Sequence, residues 1–513
     1  MEDITRRDFL KLAGLLPISA AAPRFLSSID TLPQNQSTQP NIIVVVFDAL
    51  SAFDVSLYGY QRETTPNFSR LADRAVVYHN HYAGGNFTTP GTASLLSGMH
   101  PWKHRQFVHF NGGGEIFKKN NIYSAFENYY RLAYSHNPLA NDLLGKLNLA
   151  GNLDYYIPTK QLFLTTDGLI TDLFKNDSDI ASVSWVRAAK KQEEGFAYSL
   201  FFAHLYESYQ NFKIESFKPF FPRGLPNVSS DNYYLLEQAV DWLGDELKNV
   251  PQPFISYFHL MPPHAPYNTP LDFYDYFKND GLQFTPKPFD MFAKEKDSSY
   301  ERILKIRTVY DEFILYADRE FGRLFENLEK SGLLENTWVV LTSDHGEMFE
   351  RGIIKHTTPV LYEPVIRVPL MIFEPGRKTR ADIYSNTSAV DILPTLLHVT
   401  GQKPADWTEG VVLPPFGPEP DIDRNVHTIQ ARLNKQYEPI KIATITLIKE
   451  RYKLQYFFGY EELGGSGNER VELYDLKADP EELNNLSTSK RETTAELLHE
   501  LKQKLAEVDE PYL

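Results

Sequence analysis

The run Asn41-Ile42-Ile43-Val44-Val45-Val46-Phe47 constrains the fold most. Its apolar residues are consecutive and mostly β-branched, with no polar alternation, and the run is too short for a stable helix. Such a run suits a strand buried on both faces, as in a parallel sheet under helices. Phe254 to His259, Trp338-Val339-Val340-Leu341 and Val368 to Phe373 read as further strands. Helical patterns fall between them: Thr65 to about Ala75, Pro90 to Ser97 closed by Gly98, 228–249, 299–331 ending at Ser331-Gly332, and Ala389 to Val399. This alternation predicts an α/β fold with a mostly parallel central sheet flanked by helices. Pro414-Pro415-Phe416-Gly417-Pro418-Glu419-Pro420 marks a boundary. Beyond it, strand-like stretches at Ile440 to Ile448 and Tyr452 to Phe458 and a helix near Thr493 to Val508 predict a smaller C-terminal α+β subdomain.

Ligands of open α/β sheets bind beyond the carboxyl ends of the strands. Asp48 ends the first run, and Ser343-Asp344-His345-Gly346-Glu347 follows Trp338–Leu341. An Asp after a strand ordinarily caps a helix. Two acids and one histidine at two strand ends instead suit one divalent cation, and calcium, magnesium, manganese and zinc all fit. Thr88, in Asn86-Phe87-Thr88-Thr89-Pro90-Gly91, falls just before a helix that Pro90 helps to start. A helix start favours an anion, and a hydroxyl beside a metal can become a nucleophile. A threonine N-cap is the plainer role for that segment.

Composition removes several classes. The 513 residues carry a formal charge of −15, which disfavours nucleic acid as a partner. Cysteine is absent, so there is no disulfide, no thiolate metal site and no cysteine nucleophile. No apolar run is long enough for a transmembrane helix. Thr5-Arg6-Arg7-Asp8-Phe9-Leu10-Lys11, then Leu12 to Ala22 and Pro23, resembles a twin-arginine export signal. The expected partner is therefore the twin-arginine export machinery, and the expected location is periplasmic or extracellular. Pro23 blocks cleavage directly after Ala22, which leaves a membrane-held uncleaved leader open. Residues 1–30 are read as the signal peptide, 31–40 as a linker, 41–415 as the catalytic domain with a variable insert at 102–230, and 425–513 as the C-terminal subdomain. The insert is rich in aromatic residues, among them Tyr129, Tyr130, Tyr155, Tyr156, Phe201, Phe202, Phe220 and Phe221.

Seven pieces in order resemble the sulfatase family of the alkaline phosphatase superfamily. They are Asn41 to Asp48 with Asp54 and Leu57-Tyr58-Gly59-Tyr60; Thr65-Pro66-Asn67-Phe68-Ser69-Arg70-Leu71-Ala72; and Thr88-Thr89-Pro90 through Gly98. Pro263-His264-Ala265-Pro266-Tyr267, Ser343 to Glu347, and Leu361-Tyr362-Glu363 with Arg367-Val368-Pro369-Leu370 follow. Glu472-Leu473-Tyr474-Asp475-Leu476 with Asp479-Pro480 and Asn484-Asn485-Leu486 closes the series. The resemblance implies an alkaline-phosphatase-like fold and one divalent metal ion held by Asp48, Thr88, Asp344 and His345. It implies Thr88 as nucleophile and His264 as proton donor to the leaving oxygen. It puts Lys355, His356, Asn86, His136 and Asn137 on the side of the substrate's anion. Glu347 is read as a support for the metal motif, and Asp54 as a brace of the strand-end loop.

Three departures matter. Family members that cleave sulfate esters carry Cys or Ser at position 88, oxidised to formylglycine; here it is Thr88, so no formylglycine forms. The family's arginine is Thr92, and its second aspartate is Ala49. A threonine in this role resembles the lipoteichoic acid synthases and phosphoethanolamine transferases of the same superfamily. The expectation is an exported metal-dependent hydrolase or transferase acting on phosphate esters, phosphodiester or phosphomonoester, through a covalent threonyl intermediate. Its substrate would be a small-molecule, glycan or lipid ester. A sulfuric ester hydrolase with an atypical nucleophile and an inactive sulfatase-like binding protein stay open.

Overall fold

The computed structural model describes residues 38–109, 114–165, 197–229, 232–293, 299–418, 424–464 and 468–513. The leader at 1–30, most of the linker, and the side chains of Phe201 and Phe202 lie outside the described residues.

Eight strands make the central sheet: β1 (Asn41–Phe47), β2 (Val76–Tyr82), β3 (Tyr130–Ser135), β4 (Tyr155–Tyr156), β5 (Phe254–Leu260), β6 (Thr337–Thr342), β7 (Leu370–Phe373) and β8 (Ala381–Ser388). Their order is β8-β2-β7-β6-β1-β5-β3-β4. All pairings are parallel except the two made by β7. β1 lies at the centre, and successive residues serve two cores. Ile43, Val45 and Phe47 face the helices α1 (Pro66–Ala72), α4 (Leu236–Glu246) and α5 (Tyr300–Lys330). Ile42, Val44 and Val46 face α2 (Thr88–Ser97), α3 (Pro138–Leu149) and α6 (Ile392–Val399). The unbroken apolar run thus reflects burial on both sides of a pleated strand.

The second sheet is antiparallel, β9 (Val426–Gln430), β10 (Ala443–Lys449), β11 (Tyr452–Phe458) and β12 (Glu469–Asp475), in chain order. Helix α7 (Arg491–Asp509) packs Leu497 and Leu501 into one core with Leu447, Leu454 and Leu473. The two sheets are stitched where Ile429 N–H donates to Gly84 O (3.0 Å) and Thr428 Oγ1 to Ala83 O (2.6 Å).

Two expectations change. The stretch 102–230 is not wholly an insert, because it supplies β3 and β4 to the central sheet. Its aromatic residues largely pack: Tyr129 is buried against Phe126, and Phe221 sits in a small apolar cluster with Leu164, Leu225 and Leu235. The helical reading of 228–249 shortens to α4, because Asn227–Ser229 pairs with Asn232–Tyr233 as a hairpin. Among the described residues, no helix is long and apolar enough to cross a membrane.

Candidate functional site

The carboxyl ends of β1, β6, β5 and β3 converge, and α2 starts above them. Asp48 follows β1; its N–H is held by Leu260 O of β5 (3.0 Å). Ala49 turns the chain in the left-handed region at φ 61° and donates its N–H to Asp344 Oδ1 (3.3 Å). After β6, Ser343 Oγ accepts from Leu50 N–H (2.9 Å) and donates to His345 O (2.6 Å), which locks the two loops together. Helix α2 lies directly on this loop: a side chain on Gly91 would meet Asp344 O at 2.2 Å, so glycine is what lets the helix approach. Gly98, at φ 66°, closes the helix as expected. Thr88 is its first residue rather than its cap, which is Phe87.

Asp48, Asp344 and His345 are fully buried, and one ligand atom from each lies within 4.8 Å of the others. Asp48 Oδ1 and Asp344 Oδ2 each stand 3.5 Å from His345 Nε2, and none of these three atoms has a hydrogen-bond partner among the described residues. Buried polar atoms left unpartnered are costly, and ligand atoms about 2.1 Å from one cation are themselves roughly 3–4 Å apart. His345 Nδ1 lies 2.9 Å from Gly346 O, which assigns it the proton and leaves the Nε2 lone pair pointing at the carboxylates. Burial also pushes the His345 imidazole toward its neutral, ligating form. Burial and the facing Asp48 push the Asp344 carboxyl up. Asp48 is the opposite case: burial would raise it, but His264, His259 and His345 hold it well below the usual carboxylate range. These donors therefore fit a divalent cation.

Asn137 Nδ2 bridges two of the expected residues. It donates to Asp48 Oδ2 and reaches Thr88 Oγ1 at 3.3 Å, while its Oδ1 caps α3 by accepting from Leu139 N–H (2.6 Å). His264 is half-buried between Pro263 and Ala265; its Nδ1 lies 2.7 Å from Ala265 O, leaving Nε2 free to exchange a proton. The His356 ring stands between it and the metal motif, 4.1 Å from His345 and 5.2 Å from His264. Glu347, buried, takes His356 Nδ1 on one oxygen (3.0 Å) and Tyr267 Oη on the other (3.1 Å). Lys355 is exposed beside them, with no hydrogen bond or ion pair from its side chain among the described residues.

Two expected substrate-side residues are engaged elsewhere. Asn86 donates its amide to His356 O (2.9 Å) and Thr358 O (2.8 Å), so it pins the Lys355–His356 loop beside Thr88. His136 is fully buried, stacked on Tyr234 (4.5 Å) and Phe163 (6.2 Å), with neither ring nitrogen bonded to a described residue. Asp54 pairs with Arg307 (2.7 Å), in keeping with a brace.

One residue went unread in the sequence. His259, in β5, points its Nε2 at Asp48 Oδ2 (3.0 Å) and lies 3.7 Å from Asp344 Oδ2. Although burial opposes a charged ring, Asp344 and Asp48 hold its imidazole above the ordinary value. The available signal was its position: register pairs His259 with Val46 on one side and Ser135 on the other, at the very edge where ligands bind.

Comparison with known proteins identifies the family of the chain. The sulfatase family model matches residues 40–143 and 170–402, and the model for the C-terminal part of N-sulphoglucosamine sulphohydrolase matches 356–511. A choline-sulfatase of Rhizobium meliloti is 25% identical, over 88% of this chain and 83% of its own. An ulvan-active sulfatase of Formosa agariphila is 24% identical, over 98% of this chain and 89% of its own. The crystal structure of a phosphonate monoester hydrolase of Agrobacterium radiobacter superposes with a TM-score of 0.64 at 19% identity, covering 93% of this chain and 96% of that one. A central mostly parallel sheet and a smaller C-terminal sheet are common ground, and the chain belongs to the sulfatase family, as a hydrolase of that fold.

Proposed function

We propose that this hydrolase acts on phosphate esters, by hydrolysis or transfer, with Thr88 as its nucleophile and one divalent cation. One observation carries the assignment: a single amide, Asn137 Nδ2, serves both the Thr88 hydroxyl and Asp48, whose other oxygen faces Asp344 and His345 unpartnered. Asp48, Asp344 and His345 would hold the cation, with the Thr88 hydroxyl beside them. An imidazole next to two carboxylates favours manganese or zinc over calcium. When bound, such a cation lowers the pKa of a neighbouring hydroxyl and neutralises an ester's non-bridging oxygens.

The protein's own groups do the rest. Thr88, its hydroxyl proton already given up to solvent, attacks phosphorus in line through Oγ, and the bond to the leaving oxygen breaks as His264 Nε2 gives that oxygen a proton; the second displacement returns Thr88 as the same alkoxide. Asn137 Nδ2 and the positive start of α2 face the charge that develops. His264, now deprotonated, takes the proton of water or an alcohol, whose oxygen displaces Thr88 Oγ from phosphorus. Asn86 keeps Lys355 and His356 at the rim, where their side chains meet the anion. With a formal charge of −15 on the whole chain, attraction of an anion has to be local. Threonine favours phosphorus over sulfur, because a sulfated threonine has no carbon–oxygen exit of the kind an aldehyde hydrate offers. The likeness to a phosphonate monoester hydrolase, also an enzyme of phosphorus esters, supports attack at phosphorus. Sulfate-ester hydrolysis is the second reading, favoured by the sulfatase names of the sequence relatives. We also propose export, on the strength of Arg6-Arg7.

The test is a panel of aryl phosphodiester, phosphomonoester, phosphonate monoester and sulfate esters, assayed with magnesium, calcium, manganese and zinc. Phosphoryl turnover that depends on the cation and vanishes in Thr88→Ala, with a threonyl phosphate seen by intact mass, is expected. Sulfate turnover without phosphoryl turnover would overturn the assignment.

A further inference from the structure

His259 is a wholly buried histidine in a mostly apolar central strand, and three groups lie within 3.5 Å of its ring nitrogens. On β5, period two puts it on the face of Ile255 and Tyr257, which packs against α2. There Thr92 Oγ1 stands 3.5 Å from Nδ1, and the Tyr257 hydroxyl stands 3.2 Å from the same nitrogen. On its far edge Nε2 lies 3.0 Å from Asp48 Oδ2. A hydrogen bond to a carboxylate requires the proton on Nε2, and Nδ1 pairs with Tyr257 Oη in either state of the ring, accepting when neutral and donating when charged. A ring anchored at one nitrogen and donating from the other cannot swing away from Asp48.

Asp48 Oδ2 thereby has two donors, His259 and Asn137, from β5 and from the end of β3. Its Oδ1 has none and lies on the side of His345 and Asp344. The family resemblance puts an arginine where Thr92 stands. Here the short Thr92 side chain stands beside the His259 ring.

We infer that His259 is a positioning residue for the cation site: its Nε2–H holds Asp48 Oδ2, so that Asp48 offers Oδ1 alone to the ion, in a shell that Thr92 and Tyr257 complete. The inference rests on the cation site proposed above and not on the ester class. Groups that orient metal ligands from behind typically change metal affinity about 10–100-fold when removed.

The experiment measures zinc and manganese dissociation constants of the full chain, by competition with a chromogenic chelator and without substrate. His259→Leu keeps the volume and removes the donor, and is expected to weaken binding at least about tenfold. His259→Gln places an amide nitrogen close to where Nε2 lies, and is expected to stay within about threefold of the parent. His259→Asn is one bond too short to reach Asp48 and should behave like leucine; if the leucine variant does not fold, the Gln and Asn pair decides. Equal affinities for parent, Leu and Asn variants overturn the inference, and so does a Gln variant as weak as Leu. A parent protein that takes up neither ion overturns both this inference and the cation site. Phosphoester inactivity with the expected affinity order overturns only the proposed reaction.

Discussion

Replacing the imidazole of His264 separates its proton from its bulk. The ring is fixed through Nδ1 on Ala265 O, so Nε2 is the only nitrogen that can serve a leaving group. In His264→Gln, kcat/KM for an alkyl phosphodiester should fall about 10²–10⁴-fold, whereas a nitrophenyl ester, which leaves without help, should lose less than about tenfold. A loss of equal size on both esters would assign His264 to anion binding instead. Of the site residues, those at a strand end or a helix start were legible, because there the polar residue interrupts an apolar pattern and has no structural reason to be apolar. Asp48, Thr88, Asn137, Asp344 and His345 are of that kind. His259 was not, because one histidine inside Phe254–Leu260 reads as part of a buried strand until register sets it beside Asp48. His136 shows the reverse. With Asn137 it is expected on the side of the substrate's anion, yet Tyr234 and Phe163 enclose it, a contact made across the chain that no local pattern announces.

Helix α1 depends on a residue supplied by another helix. Thr65 precedes it without a side-chain cap, and the first-turn N–H groups of Asn67 (2.9 Å) and Phe68 (2.8 Å) donate instead to Asp318 in the middle of α5. The helices touch closely there, since a side chain on Gly322 would meet Asn67 Oδ1 at 2.6 Å. Asp318→Ala removes a cap and leaves three donors, the two amides and Asn67 Nδ2, without this partner, which should cost about 2 kcal/mol. That loss should appear as a lower urea midpoint with an unchanged slope; a change under about 0.5 kcal/mol would mean that water replaces the carboxylate. The same helix explains what patterning could and could not deliver. Ser299 and Ser331-Gly332 bracket α5 plainly, but nothing in the pattern announces that Asp311, Glu312, Asp318 and Glu320 are buried. Among strands, those with unbroken apolar runs were legible. β2 (Val-Val-Tyr-His-Asn-His-Tyr), next to the edge, and β8, an edge strand with an exposed face, mix in polar residues that hide the strand signal.

At the scale of the whole molecule, buried titratable groups on both sheets set how stability responds to acid. His81, His100, His104, His136 and His427 are each held neutral by burial, which lowers them to about 3. Three of them line the junction of the sheets: His100 packs against His427 across Trp102, and His81 sits on β2. Burial has the opposite effect on Asp311, Asp318 and Glu482, raising each to about 7, with Lys453 facing Glu482 and Arg62 facing Asp311. The two sets pull in opposite directions. As pH falls through about 7, the folded state binds protons on the three carboxylates that the unfolded chain still holds ionised, so stability rises. Below about 6.5 the unfolded chain protonates five histidines that the folded state keeps neutral, and the difference in bound protons changes sign. Below about 4.5 the unfolded carboxylates take protons too, and the offset disappears. Each proton of difference is worth about 1.4 kcal/mol per pH unit. The urea midpoint at constant ionic strength should therefore peak between about pH 6 and 7, decline gently to about 4.5, and collapse between there and about 3. His427→Gln should flatten the acid limb by about one proton's slope while leaving the rise through pH 7 in place, because it removes one neutral histidine and none of the carboxylates. A midpoint that climbs steadily from pH 6.5 to 4 would mean that the histidines at the junction are charged in the folded state, and that the two sheets meet through water rather than through a dry, neutral seam.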